Sequence, residues 1–89
     1  MKLDLKPGKA GVAEVLARGL ALYRQKRFKE AEYCYQVVLR QYPNHPQALN
    51  FLGMLAVEAK RLDEAIRLLS LAVQHAPKDA TIRLSLIHI

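Results

Sequence analysis

The side chains in this sequence that could do chemistry are few and scattered. His45, His75 and His88 are spread along the second half of the chain, whereas a metal ion needs ligands that converge. The single cysteine, Cys34, excludes an internal disulfide and a cysteine metal cage. It is next to Tyr35, which is predicted for the core, so we interpret it as a buried or half-buried inert thiol. We therefore expect no metal site.

Motifs that mark enzymes are also missing from the sequence. It contains no phosphate-binding loop, no nucleophile elbow and no paired-ligand helix motif. No apolar run approaches the ~20 residues that a membrane-spanning helix needs. The basic start of the chain leads into Glu14 and Arg18 rather than into the apolar stretch of a secretory signal. We expect no catalysis by these 89 residues, no cofactor, no membrane contact and a cytoplasmic setting.

Length and charge set further bounds. With 89 residues, of which 52% are hydrophobic and 25% charged, the chain is expected to be one small globular domain. The net charge of +6 is uneven, because residues 1–30 hold eight Lys or Arg against Asp4, Glu14 and Glu30. The basic character therefore belongs to the N-terminal part of the chain.

An internal repeat predicts the helices on which the residues named above lie. Sliding the chain over itself gives one register, at an offset of 34 residues, which superposes Gly19 on Gly53 and Pro43 on Pro77. The same offset superposes Lys26-Arg27 on Lys60-Arg61 and Glu30-Ala31 on Glu64-Ala65.

Apolar spacing indicates two helices in each repeat. The predicted core faces are Val15, Gly19 and Leu22 followed by Ala31, Tyr35, Val38 and Leu39, and then Leu49, Leu52, Gly53 and Ala56 followed by Ala65, Leu69, Ala72 and Val73. A glycine inside a helix costs about 1 kcal/mol relative to alanine. Its recurrence at one phase predicts a close approach of the partner helix, with Ala31 and Ala65 as the facing small residues.

This order of small and large residues resembles the tetratricopeptide repeat signature. The resemblance covers residues 12–45 and 46–79, and residues 80–89 weakly. It implies an all-α fold in which tandem antiparallel helix-turn-helix hairpins are stacked as a short right-handed α-solenoid. There would be a basic extension (1–11), two full units, and the first helix of a third unit. Lys26 and Lys60 stand where the family often has a turn glycine.

The resemblance also implies a function. The first helix of each pair lines a concave groove that binds a protein or peptide partner, as an extended segment or an amphipathic helix. The groove residues expected here are Leu16, Leu20, Tyr23, Arg24, Gln47, Asn50, Met54, Val57 and Glu58. In the alternative interpretation, a neighbouring element such as residues 1–10 covers Leu16, Leu20 and Met54. Family members that clamp acidic chaperone tails use lysine and asparagine where this chain has Leu16, Leu20 and Phe51, so that activity is not expected.

A second hypothesis concerns a longer parent protein. Two stretches, His45–Ala56 and Arg61–Ile66, resemble repeats found before bacterial glycosyltransferase or sulfotransferase domains. These 89 residues would then be the N-terminal substrate-recognition repeats of a larger enzyme.

A basic cluster lies at the first inter-helix turn. It comprises Arg24, Lys26, Arg27 and Lys29, and Lys60-Arg61 repeats part of it one unit on. Cations near a helix C-terminus stabilise it by ~0.3–1 kcal/mol, so a structural role suffices. The functional alternative is contact with an acidic partner or RNA phosphates. No aromatic residues alternate with the cations for base stacking, so nucleic acid is not the expected partner.

The last ten residues depart from the repeat. Ile87 falls at the glycine position, and no second helix follows residues 80–89. This exposed apolar tail has three alternative interpretations: it docks on another copy or a partner, it frays, or it is not native. The string over residues 84–89 resembles translated sequencing-adaptor sequence, which would make the chain a fragment. Because stable stacks usually need about three repeats, we expect marginal stability or self-association through residues 80–89.

Overall fold

The computed structural model describes the backbone of residues 9–87 and the side chains of residues 11–87. This part of the chain is all-α, without a strand, and divides into two compact units at the junction between Pro43 and Asn44. The predicted all-α architecture of tandem hairpins is confirmed. The helices are α1 (Lys9–Arg24), α2 (Phe28–Gln41), α3 (Pro46–Glu58), α4 (Leu62–His75) and α5 (Ala80–Ile87).

The first unit is a hairpin of α1 and α2, joined by residues 25–27. Its core contains the side chains that the apolar spacing predicted, except that Leu39 is only half-buried. Burying a large apolar side chain fully contributes about 1.5–3 kcal/mol, so this seam stabilises the hairpin. The helix α2 ends before Pro43, where the N–H of Tyr42 donates to the carbonyl of Val38. The buried seam residues are Val15, Leu22, Ala31, Tyr35 and Val38.

The second unit contains an equivalent hairpin, formed by α3 and α4, and a third helix, α5. Pro46 occupies the first turn of α3, where its missing N–H would have no helical partner. The core again follows the predicted faces, although Leu52 and Val73 are half-buried. The helix α5 packs against α4 and α3 and buries Ile82. The buried seam residues of α3 and α4 are Leu49, Gly53, Ala56, Ala65, Leu69 and Ala72.

The start of α5 is fixed by a side-chain cap. The carboxylate Oδ1 of Asp79 accepts from the N–H of Ile82 at 3.2 Å, which satisfies one of the free donors at the helix N-terminus. Further along the helix, Leu84 is 50% exposed and Ile87 is 73% exposed. His88 and Ile89 lie outside the described residues, as do residues 1–8, so the expectations about a folded-back N-terminal segment and the last two residues stay predictions.

Both glycines lie where the partner helix comes closest. A Cβ built on Gly19 would be 2.7 Å from Cε1 of Tyr35, and one built on Gly53 would be 2.6 Å from Cγ of Leu69. The predicted close approach is confirmed: the nearest side chains are those of Tyr35 and Leu69, and the carbonyl oxygen of Ala65 is 3.5 Å from the Cβ position of Gly53. Tyr35 and Leu69 lie one helical turn after Ala31 and Ala65, which are themselves fully buried.

Two further features bear on function. None of the helices within residues 9–87 is both long enough and apolar enough to cross a membrane. Within the same residues, no three His, Cys, Asp or Glu side chains come together in a group that could hold a metal ion.

Candidate partner-binding surface

The α1 face comprises Leu16, Leu20, Tyr23 and Arg24. It is turned by about 100° from the seam of its hairpin, since each helical residue advances the direction by that angle. The first three side chains are half-buried and Arg24 is exposed. Tyr23 also contacts Phe28 edge-to-face, with ring centroids 5.5 Å apart and ring planes at 61°. The α1 face is therefore a short apolar strip with a cation at its end.

The α3 face comprises Gln47, Asn50, Met54, Val57 and Glu58, and has the same relation to the seam of its own unit. Gln47 and Glu58 are exposed, while Met54 and Val57 are half-buried. The strip is thus apolar in the middle and polar at both ends.

Asn50 is more deeply placed than its sequence suggested. It is only 3% exposed, although the sequence interpretation offered it to a partner as a polar anchor. Its Nδ2 donates to Sδ of Met54 at 3.8 Å, and its buried Oδ1 has no hydrogen-bond partner within the described residues. The amide of Asn50 is therefore directed towards Met54 and not towards solvent. An i, i+4 Asn-Met pair is a signal that the sequence contained and periodicity alone did not use.

The turn after α1 has a defined hydrogen-bond pattern. The N–H of Lys26 donates to the carbonyl of Tyr23 at 2.9 Å, and the N–H of Arg27 donates to the carbonyl of Leu22 at 2.9 Å. These two bonds are the Schellman motif, which requires a left-handed residue after the helix. Lys26 is that residue, with φ of 63°.

The turn after α3 has the same pattern. The N–H of Lys60 donates to Val57 at 3.0 Å, and that of Arg61 to Ala56 at 2.8 Å. Lys60 has φ of 62°, so both first helices end on a left-handed lysine. Glycine adopts this conformation without the Cβ penalty. This explains why the repeats that the chain resembles often have a glycine at this position. We call residues 24–30 turn 1 and residues 58–64 turn 2.

Burial shifts the pKa values of three titratable groups in the two units. His45 is the N-cap of α3, where its Nδ1 accepts from the N–H of Ala48 at 3.4 Å, and burial lowers the pKa of its imidazole. Burial also raises the pKa of the Cys34 thiol, although the nearby Arg18 opposes this shift. Cys34 is fully buried, and its interpretation as an inert thiol stays a prediction. Burial raises the pKa of the Tyr35 hydroxyl as well.

Comparison with protein families now identifies the repeat. A family model described as tetratricopeptide repeat matches residues 16–80, which is most of the chain and includes the second half of α1 and all of α2, α3 and α4. The chain belongs to the tetratricopeptide repeat family. Comparison with curated proteins and with solved structures gives no match.

Family membership supports a general statement of function. Tetratricopeptide repeats mediate protein–protein interactions, and such domains are typically non-catalytic. Neither the partner nor a downstream transferase domain follows from the family match. The transferase hypothesis, like the nine predicted groove residues, stays a prediction.

Proposed function

We propose that this tetratricopeptide repeat chain is a non-catalytic scaffold whose α1 face and α3 face bind a peptide or a partner domain. The observation that carries the proposal is that each first helix turns a second apolar strip away from its own hairpin seam. The glycine contacts close the seam side in both units. The other side keeps Leu16 and Leu20 in the first unit, and Met54 and Val57 in the second, only half-buried.

The chemistry of these strips suits a segment with its own apolar anchors. Removing half-buried leucine, valine and methionine side chains from water is favourable, so a partner that covers them is bound more tightly. Methionine also adapts its shape to different partners, because it is unbranched and flexible. The exposed polar residues at the ends, Arg24, Gln47 and Glu58, would fix orientation through hydrogen bonds. The proposed ligand is an extended segment or an amphipathic helix.

The test begins with selection of peptides from a random display library against the whole chain. Selected peptides are then measured by fluorescence anisotropy against Leu20→Ala and Met54→Ala. The matched controls are Tyr33→Ala and Ile66→Ala, which shorten exposed side chains on the second helices of the same units. We expect each face variant to weaken binding about tenfold, and each control to leave it unchanged.

Two results would contradict the proposal. Equal losses in the face variants and the controls would mean that the peptide binds elsewhere. A loss of the helical circular dichroism signal in Leu20→Ala and Met54→Ala would mean that the variants do not fold and that these side chains belong to the core.

We also propose the repeat boundaries 12–45 and 46–79, with residues 80–89 forming the first helix of a further unit that supports self-association. The support is the exposed pair Leu84 and Ile87 on α5. Sedimentation velocity over a range of concentrations should show a dimer or larger species, and Leu84→Lys with Ile87→Lys should return the chain to monomer. A wild-type chain that is monomeric at all concentrations would refute this self-association.

A further inference from the structure

The two turns offer a comparison within one molecule. Turn 1 and turn 2 have the same Schellman hydrogen bonds and the same left-handed lysine, so their backbones place side chains alike. Their charges differ at two of the matching positions. Arg24 corresponds to Glu58, and Lys29 corresponds to Asp63. Turn 1 thus has four cations and one carboxylate, and turn 2 has two cations and three carboxylates, giving +3 and −1.

The cations of turn 1 are available to a partner. Arg24, Lys26, Arg27 and Lys29 are all exposed. Arg27 is used locally, because its Nε and Nη2 each donate to Glu30 at 2.8 Å. The other three have no ion pair within the part of the chain that the structure describes. Three unpaired cations therefore lie within six consecutive residues.

Stability does not account for this charge pattern. Lys29 lies in the first turn of α2, next to the positive end of the helix dipole, where a cation is unfavourable. Turn 2 has the favourable type of residue, Asp63, at that position. Arg24 already supplies the cation that the C-terminus of α1 can use. Lys26 adds a further like charge in a backbone conformation that glycine would adopt more easily.

We propose that turn 1 is a docking surface for an acidic protein segment, one rich in aspartate and glutamate. Its unpaired cations complement such a segment, and the local chain leaves them without carboxylates of their own. A protein segment fits better than a nucleic acid, because the aromatic residues at this turn, Tyr23 and Phe28, are half-buried against each other rather than presented for base stacking. This surface goes beyond the binding proposed for the α1 and α3 faces.

The experiment measures anisotropy of a fluorescein-labelled oligoglutamate peptide titrated with the whole chain at low and at physiological salt. An oligoglutamine of equal length serves as the blank, and an oligouridylate of equal length as the competing class of ligand. The test variant is Lys26→Glu with Lys29→Asp, which leaves all nine residues of the two faces intact. The matched control is Arg18→Glu with Arg40→Asp, which makes the same change of net charge at exposed positions of the same unit away from turn 1.

We expect the test variant to weaken oligoglutamate binding about tenfold and the control to change it less than about twofold. Binding of the wild-type chain should weaken as salt rises, since exposed charges are screened. Equal losses in the two variants would overturn the proposal, because net charge alone would then explain binding. Tighter binding of oligouridylate than of oligoglutamate would overturn it as well. If the test variant fails to fold, oligoglutamate binding is compared between the variant Lys26→Gln with Lys29→Gln and the control Arg18→Gln with Arg40→Gln.

Discussion

Gly19 lies against the ring of Tyr35, so closely that a Cβ on this glycine would be 2.7 Å from Cε1 and 2.8 Å from Cζ. Real Cβ atoms essentially never come this close to another heavy atom, and the ring is fully buried. In the second unit, Gly53 has the same relation to the buried side chain of Leu69. The absence of a side chain at these two positions is therefore what allows each hairpin to close.

Gly19→Ala should destabilise the chain by about 1–3 kcal/mol, because the added methyl group overpacks the seam. Helix propensity alone predicts the opposite sign, a gain of about 1 kcal/mol. The control is Ala17→Gly at an exposed position of α1, which measures propensity without a clash and should cost about 1 kcal/mol. Urea denaturation gives both values. A Gly19→Ala chain more stable than wild type would contradict the close contact.

Lys26→Gly and Lys60→Gly should each stabilise the chain by about 1 kcal/mol, since both lysines have positive φ and glycine has no Cβ to strain there. The matched controls are Lys26→Ala and Lys60→Ala, which remove the same charge but keep a Cβ. We expect the alanine variants to be no more stable than wild type in thermal and urea denaturation. Equal stability of the glycine and alanine variants would mean that the left-handed conformation carries no strain.

The cap formed by His45 should make stability depend on pH. Its Nδ1 accepts a hydrogen bond only when unprotonated, and burial lowers the pKa of the folded imidazole below its ordinary 6.5. The unfolded chain therefore binds this proton more readily. The contribution, about 0.5 kcal/mol for a long cap bond, is present above pH 6.5 and is lost as the pH falls through the lowered pKa.

Denaturation of His45→Asn checks this dependence, because asparagine caps a helix without titrating. The variant should lose the fall in stability between neutral and acid pH. His75→Asn, at the exposed end of α4, should keep it. Identical pH profiles for wild type and His45→Asn would exclude the cap as the cause.

Cys34 should not react with a disulfide reagent in the folded chain. Its side chain is fully buried, and burial raises the thiol pKa above its ordinary 9.0, so little thiolate forms at neutral pH. Because the unfolded thiol ionises more readily, this group also lowers stability as the pH rises above 9.0. In Ser70→Cys, the new exposed thiol should react at once and Cys34 only after denaturant is added. Fast reaction of both thiols would show that the hairpin opens readily.

The sequence predicted the fold from features that geometry constrains. Gly19 and Gly53 recur at one phase because a side chain there cannot be accommodated, and Pro43 and Pro77 recur where a helix must end. Which side chain lies nearest to each glycine was beyond the pattern. Which of several residues on one helical face meets the glycine depends on where the two helices cross, and periodicity contains no such information.

The candidate site was less predictable for a related reason. Position in the repeat placed Asn50 on the predicted binding face, but its burial depends on how deeply the neighbouring side chains cover that face. The lysines at the turns were visible as departures from a family glycine. Their positive φ followed only from the hydrogen bonds that end α1 and α3, in which Lys26 and Lys60 take part.

The three-residue connections between paired helices also bear on how the chain folds. In each unit the contact that closes the hairpin, Gly19 with Tyr35 or Gly53 with Leu69, joins residues only sixteen positions apart. Chains dominated by such short separations have low contact order and fold in ~μs to ms, since little loop entropy is lost before a contact forms. Each hairpin can therefore nucleate by itself during synthesis, as soon as its second helix has emerged.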